Sequence, residues 1–384
     1  MFAIGLMTGT SLDGLDVALC NIEGTYLNTD LKLIDFICLE MPQYLKQKIK
    51  NACDEKKSNN KLICSLNFEL GHYYLEGVNR CLKRNSLKYS DISFIASHGQ
   101  TIYHLPVSES NYYASTLQIG HPAILNYRTG IPVVYDFRVM DIVAGGQGAP
   151  LVPYADYILY SDNENDVALQ NIGGIANVTY LSKSLSLDDV IAFDNGPGNM
   201  MINEAVHLFY GIEYDNDGEI ARSGKLCVEL FKEMCSNEFL KQKPPKTTGR
   251  EQFGNDYVNY LLHKYNYVNS EDIINTFTYF TAWNIVDSYR RFLPNIPNKM
   301  IVGGGGAYNK FMLDILNDIA GVNLKVMTQE MLGLNSSAKE AMAFVVLGNE
   351  TLNGVSNNVP SATGAKDKVV LGSVLGLRGL KYEK

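Results

Sequence analysis

Short apolar runs separated by small polar turns open this chain. Residues 2–6 and 15–22 flank such a turn and residues 31–37 follow, predicting three strands in quick succession. From 44 to 84 the pattern becomes polar and helix-compatible, with apolar positions at helical spacing between 62 and 82. Residues 94–96 form an apolar strand running into Ser97-His98-Gly99-Gln100, and residues 133–137 form another that leads to Arg138. A second β-rich stretch begins at Val167, with strands at 167–170 and 175–181 around Gly173 and Gly174, and a third at 190–193. Helices at 200–210, 226–235 and 271–292 follow, then a short strand at 300–302, a helix at 309–319, a strand at 324–327 and a helix at 338–347.

Two halves therefore open alike: a glycine-bearing polar turn between two apolar strands, a third strand, then helices. Identity between them is slight, so the likeness is one of pattern rather than a detected repeat. A duplicated β-β-β-α unit predicts two glycine turns facing each other across a cleft, and such clefts commonly bind ligands. Two unrelated domains with glycine turns remain the alternative.

The chain has 384 residues, enough for two cores, with 46% hydrophobic and 19% charged residues, as in ordinary folded proteins. A net charge of −8 disfavours nucleic acid and anionic membrane as partners. No apolar run reaches transmembrane length and no secretory leader pattern opens the chain. The seven cysteines are scattered without a C-x-x-C pair, and the histidines show no metal-ligand spacing. A cytoplasmic location is the expectation.

Three segments carry candidate chemistry. The first is the turn Gly9, Thr10, Ser11, Leu12, Asp13, Gly14, Leu15 and Asp16. Its backbone N–H groups and hydroxyls suit phosphate oxygens, and its carboxylates suit magnesium or a bound water. Alone, the same letters fit an ordinary hairpin. The second is Phe193-Asp194-Asn195-Gly196-Pro197-Gly198-Asn199, between a strand and a helix. Asp194 reads there either as a structural turn aspartate or as a general base over a cleft, with Asn199 as helix N-cap. The third is the run Gly303, Gly304, Gly305 and Gly306, which lets backbone approach a bulky ligand such as a nucleoside. Neither a dinucleotide fingerprint nor a P-loop is present. His98 at a strand end reads more readily as a hydrogen-bonding structural residue than as a catalyst. Arg138 suits a substrate carboxylate. Glu340 would ordinarily be a surface residue.

Taken together these blocks resemble the anhydro-N-acetylmuramic acid kinases, a branch of the sugar kinase, Hsp70 and actin superfamily. The likeness continues through Thr116-Leu-Gln-Ile-Gly120, Asp136-Phe-Arg138, Ala144-Gly-Gly-Gln-Gly-Ala-Pro-Leu-Val-Pro153 and Gln170-Asn-Ile-Gly-Gly-Ile-Ala-Asn177. Pro244-Pro-Lys-Thr-Thr-Gly-Arg250 and Pro360-Ser-Ala-Thr-Gly364 complete it. The resemblance implies an α/β fold of two ribonuclease-H-like lobes with an interdomain cleft. The lobes would span 1–133 and 134–384, the last segment packing back on the first lobe. It implies ATP and Mg²⁺ as cofactors, with the phosphates against Gly9–Asp16 and the nucleoside near the four glycines. Asp194 would deprotonate the water that opens a 1,6-anhydro sugar, while Arg138 and Glu340 would bind that sugar. The implied partners are the anhydrosugar and ATP; a homodimer stays open, and no metal ligand is assigned. Two departures stand out: Asn195 replaces a threonine common in relatives, and Val139-Met140 replaces further arginines. A levoglucosan-type kinase is the nearest alternative, and a noncatalytic sugar- or nucleotide-binding protein of the same fold a more distant one.

Overall fold

A computed structural model describes residues 1–9, 12–332 and 335–376. The chain divides into two compact units, one of Met1–Leu159 with the segment that starts at Ser337, the other Tyr160–Ser336.

In the first unit the alternation of apolar and small residues gives β1 (Phe2–Thr8), β2 (Gly14–Glu23) and β3 (Asp30–Glu40), a continuous antiparallel meander. β4 (Ile92–Ser97) then pairs parallel with β1. A hairpin of β5 (Gln100–Leu105) and β6 (Ser115–Ile119) forms a separate two-stranded sheet. β7 (Val133–Tyr135) pairs parallel with β4, and a last strand, Ser373–Leu375, pairs antiparallel with β7. β7 belongs to this sheet and the first unit runs on to Leu159, so the division falls at Leu159/Tyr160, past the 133/134 boundary expected from the sequence.

The second unit repeats the order. β8 (Val167–Ile172), β9 (Ile175–Leu181) and β10 (Ile191–Pro197) form an antiparallel meander. β11 (Lys299–Gly303) pairs parallel with β8, and β12 (Lys325–Thr328) with β11. The spatial orders β3-β2-β1-β4-β7 and β10-β9-β8-β11-β12 are the same topology, three antiparallel strands extended by two parallel ones. This is the ribonuclease-H-like arrangement, present twice.

Each unit has its own apolar core. In the first, Ile4, Leu6, Leu15 and Val17 meet the helix Asn60–Arg84 through Leu66, Leu70, Tyr74 and Val78. In the second, Val178, Phe193 and Met300 pack with the helix Ser270–Phe292 through Ile274, Phe277, Ile285 and Tyr289. Gly5 is fixed by packing: a Cβ there would run into the Ala341 carbonyl of the helix Lys339–Leu352. A bare strand position therefore lets that helix, which starts beside Glu340, lie directly on β1. No helix among the described residues is long and apolar enough to cross a membrane.

Candidate functional site

In the first unit the turn after β1 is held from both sides. The Tyr74 hydroxyl donates to Thr8 Oγ1 (2.9 Å), which donates on to the Gly99 carbonyl (3.1 Å). Leu12 adopts φ +61°, its N–H reaches the Gly9 carbonyl (3.4 Å), and Met41 N–H binds the Asp13 carbonyl (3.1 Å). Leu12 and Leu15 bury their side chains in the core, so only their backbone can face a ligand. Gly14 has no room for a Cβ against the Leu39 carbonyl and Cys38. Thr10 and Ser11 lie outside the described residues.

Asp16, half-buried on β2, has its carboxyl pushed up to about 6. Burial is the main cause; the Cys38 thiol donates to it and lowers it, while Glu340 and Asp13 raise it. Cys38 itself is pushed up to about 11, chiefly by burial, and stays a thiol. Glu340, in the first turn of its helix, is raised by the protein around it although its side chain reaches solvent; Lys339 and Arg138 act in the opposite direction. The hairpin carboxylate, Glu340 and Arg138 thus share one electrostatic environment.

Arg138 follows the turn at Asp136, whose φ of +62° bends the chain as β7 ends at Tyr135. The strand is therefore two residues shorter than expected, and Phe137 turns into the core. Arg138 Nε–H donates to His98 Nε2 (2.9 Å) and Nη1 to the Gly148 carbonyl (2.7 Å). His98 Nδ1–H donates to the Gly99 carbonyl (2.7 Å). Burial, together with the adjacent Arg138, pushes the imidazole down to about 3, so it stays neutral. Burial lowers Arg138 to about 10, which leaves it a cation.

The loop that supplies the Gly148 carbonyl is clamped by fully buried Asp141. Asp141 accepts from Gly148 N–H (2.8 Å), Asn358 Nδ2 (3.0 Å) and Thr363 Oγ1 (2.8 Å). This accounts for two glycine-bearing blocks, around 145–148 and 360–364. They tie down the arm that orients Arg138.

In the second unit, Asp194 sits at a β-bulge where β10 slips against β9 between Asp194 and Gly196. Its N–H donates to the Lys246 carbonyl (3.0 Å), and Thr248 N–H donates to its Oδ2 (2.9 Å). Oδ1 has no protein donor among the described residues. Burial raises the carboxyl; Thr248 and Lys246 lower it and Glu251 raises it. Asn195 points the other way. Fully buried, it accepts from Gln170 Nε2 (2.9 Å) and donates to Ser288 Oγ (2.8 Å). The departure at this position is therefore a packing matter, not a change in the site.

A polar stripe on the helix Ser270–Phe292 fastens the same loop. Thr281 donates to the Gly198 carbonyl (3.1 Å), and Asn284 donates to the Asn195 carbonyl (3.0 Å). Thr278, Thr281, Asn284 and Ser288 recur at three- to four-residue spacing, a signal that a reading for apolar periodicity passes over.

Asn199 occupies the N-cap position, but its side chain makes no cap; it donates to the Ile172 carbonyl (3.2 Å). Its N–H binds the Gly173 carbonyl (2.7 Å), docking this turn on the Gly173–Gly174 hairpin. The four glycines serve different ends. A Cβ on Gly304 or Gly306 would strike Ile172, and one on Gly303 would crowd Gln329. Gly305 lines a cavity of about 350 Å³ together with Asn199, Asn203, Tyr214, Asp215, Tyr308 and Asn309. Among the described residues its lining carries no lysine or arginine but two carboxylates, Asp215 and Asp217, so it suits a hydrogen-bonding group of nucleoside size that bears no negative charge. No group of three or more potential ligands forms a metal cluster among the described residues.

The sequence model of the family described as anhydro-N-acetylmuramic acid kinase matches residues 1–376. An anhydro-N-acetylmuramic acid kinase of Clostridioides difficile (strain 630) is 48% identical over 376 residues, covering 97% of this chain and 98% of that protein. One of Francisella tularensis subsp. novicida (strain U112) is 49% identical over 375 residues, with the same two coverages. Among solved structures, the activator of the 2-hydroxyisocaproyl-CoA dehydratase from Clostridium difficile with bound ADPNP aligns at a TM-score of 0.42 and 10% identity. That alignment covers 93% of this chain and 99% of that one.

Proposed function

The chain belongs to the anhydro-N-acetylmuramic acid kinase family, and from that premise we propose how its residues carry the reaction. The enzyme hydrolyses the 1,6-anhydro bridge of 1,6-anhydro-N-acetylmuramic acid and phosphorylates O6. The products are N-acetylmuramic acid 6-phosphate and ADP, as cell-wall sugar recycling requires. Asp194 takes a proton from the water that attacks C1. The C1–O6 bond breaks, and the electron pair left on O6 attacks the γ-phosphorus of ATP, expelling ADP. Ring opening and phosphorylation are thus coupled, because the first creates the nucleophile of the second.

The observation that carries this reading is the Asp194 carboxylate. One oxygen is fixed by the Thr248 N–H, the other has no protein donor among the described residues, and burial shifts the group toward neutral pH. A base works best when its pKa lies near the operating pH. The cavity beside Gly305 takes the nucleoside, with Tyr214 and Tyr308 offering apolar faces and Asp215 and Asn309 hydrogen-bond acceptors. The turn Gly9–Asp16 takes the phosphates on its backbone N–H groups.

Arg138 pairs with the lactyl carboxylate of the muramic acid. Of the five N–H donors of a guanidinium, His98 and Gly148 use one each, so its fork is aimed but not exhausted. Glu340 accepts from sugar hydroxyl or amide groups. Mg²⁺ fits the donor set of the first unit. Asp16 is an oxygen donor raised chiefly by burial, with Glu340 and Asp13 adding to it, and paired with no cation among the described residues, the environment a hard divalent ion relieves. Bound there through water, Mg²⁺ would neutralise phosphate charge.

The test is incubation with ATP and 1,6-anhydro-N-acetylmuramic acid, the product being identified by mass. N-acetylmuramic acid 6-phosphate and ADP in equal amounts support the reading. A product that retains the anhydro bridge, or a strong preference for levoglucosan, contradicts it.

A further inference from the structure

Lys246 is only 5% exposed, yet no carboxylate comes within ion-pair distance of it among the described residues. Its ammonium lies instead over three aromatic rings, 4.5 Å from the centroid of Phe239, 4.8 Å from Phe292 and 6.0 Å from Phe193. One hydrogen bond, to the Phe239 carbonyl (3.4 Å), completes its surroundings. Aromatic faces attract a desolvated cation, but they leave its charge uncancelled. A methionine would fill the same space without the cost of burying an ammonium.

The position is tied to Asp194 along the chain and through space. The Lys246 carbonyl accepts the Asp194 N–H, and two residues on, Thr248 N–H holds Asp194 Oδ2. Phe193, one wall of the cage, adjoins Asp194 in β10. The other charges nearby largely cancel: Arg291 and Asp287 pair with each other at 3.2 Å. Glu251 opposes ionisation of Asp194. Among the described residues Lys246 is the cation left to favour it.

We propose that Lys246 is a positioning residue for Asp194, its caged ammonium holding the Asp194 carboxylate ionised against burial so that it can accept the proton of water. This rests on the reading of Asp194 as the base. Burial and Arg291 push the Lys246 ammonium down to about 8, while Asp194 and Asp287 raise it, so it is mostly charged at neutral pH. The segment Pro244-Pro-Lys-Thr-Thr-Gly-Arg250 then delivers both a backbone donor and a cation to one carboxylate.

The experiment compares kcat against pH for the full-length wild type, Lys246→Met, Lys246→Arg and Asp194→Asn. In Lys246→Met the acidic limb moves up by about one pH unit, a ~10-fold loss below the limb, with KM for ATP and sugar unchanged. Lys246→Arg returns the limb to its wild-type place. A folded Lys246→Met with a wild-type limb overturns the proposal while leaving the base intact. Turnover by Asp194→Asn at the wild-type rate overturns the base itself.

A reciprocal measurement needs no Lys246→Met protein. The Lys246 side-chain NMR signal titrates near 8 in the wild type and lower in Asp194→Asn, because an anion has been removed. An unchanged titration contradicts the coupling.

Discussion

Arg138 is aimed by a histidine that cannot take a proton from it. Its Nε–H donates to His98 Nε2 at 2.9 Å, and the other ring nitrogen is committed to the Gly99 carbonyl at 2.7 Å. The same carbonyl receives Thr8 Oγ1, so the end of β1 and the arginine are fixed through one backbone oxygen. His98→Ala releases the guanidinium without removing it. KM for the anhydrosugar rises ~10-fold and KM for ATP stays near its wild-type value, as steady-state kinetics with each substrate varied will read.

In the proposed function Arg138 would set which anhydrosugar is preferred. Arg138→Met leaves a buried apolar stem and no partner for a lactyl carboxylate. The kcat/KM for 1,6-anhydro-N-acetylmuramic acid falls by two orders of magnitude or more, roughly 3 kcal/mol for a charge-assisted bidentate contact. Levoglucosan, which lacks the carboxylate, loses far less. Equal losses on the two sugars would remove Arg138 from substrate recognition.

His98 makes stability depend on pH. Its folded pKa, about 3, lies below the unfolded value near 6.5. Between those values the unfolded chain binds the extra proton, so stability is full above 6.5 and is lost as pH falls toward 3. Denaturation midpoints measured across that range decline in the wild type, and the decline is shallower in His98→Ala.

Much of this is legible from sequence because local chemistry and fold agree. The short apolar runs at 2–6, 15–22, 167–170 and 175–181 lie within β1, β2, β8 and β9, and the doubled turn pattern reappears as one strand order used twice. The hairpin β5–β6 escapes such a reading, since residues 100–119 mix exposed tyrosines with polar positions and bury only one face. Asn199 resembles a cap by type and place, yet its Nδ2 donates to the Ile172 carbonyl and its oxygen accepts no helix N–H. The role of Asp141 has no local signal: its partners Asn358 and Thr363 lie far along the chain, and only tertiary structure joins them. Leu12 and Leu15 sit within a ligand-like motif but serve the core.

If Asp16 holds Mg²⁺ as proposed, protons and the metal compete for one carboxylate. Its carboxyl is raised from 3.8 to about 6, so the folded state binds more protons between those values and stability falls as pH rises from 3.8 through about 6, the loss being complete above it. Asp16→Asn therefore stabilises the ligand-free protein at pH 7 by about 1 kcal/mol, solvent screening the partly exposed carboxylate. The same substitution weakens MgATP binding and removes its improvement with rising pH through about 6. Calorimetric titration at mildly acidic and mildly alkaline pH, on either side of that value, checks both signs.

The proton transfer to Asp194 is tested most directly in ¹⁸O-labelled water with MgATP and 1,6-anhydro-N-acetylmuramic acid. The wild type should give N-acetylmuramic acid 6-phosphate carrying one label at C1 and none in the phosphate, while Asp194→Asn binds ATP normally and forms no product. Unlabelled product from the wild type, or labelled product from Asp194→Asn at the wild-type rate, would contradict the account.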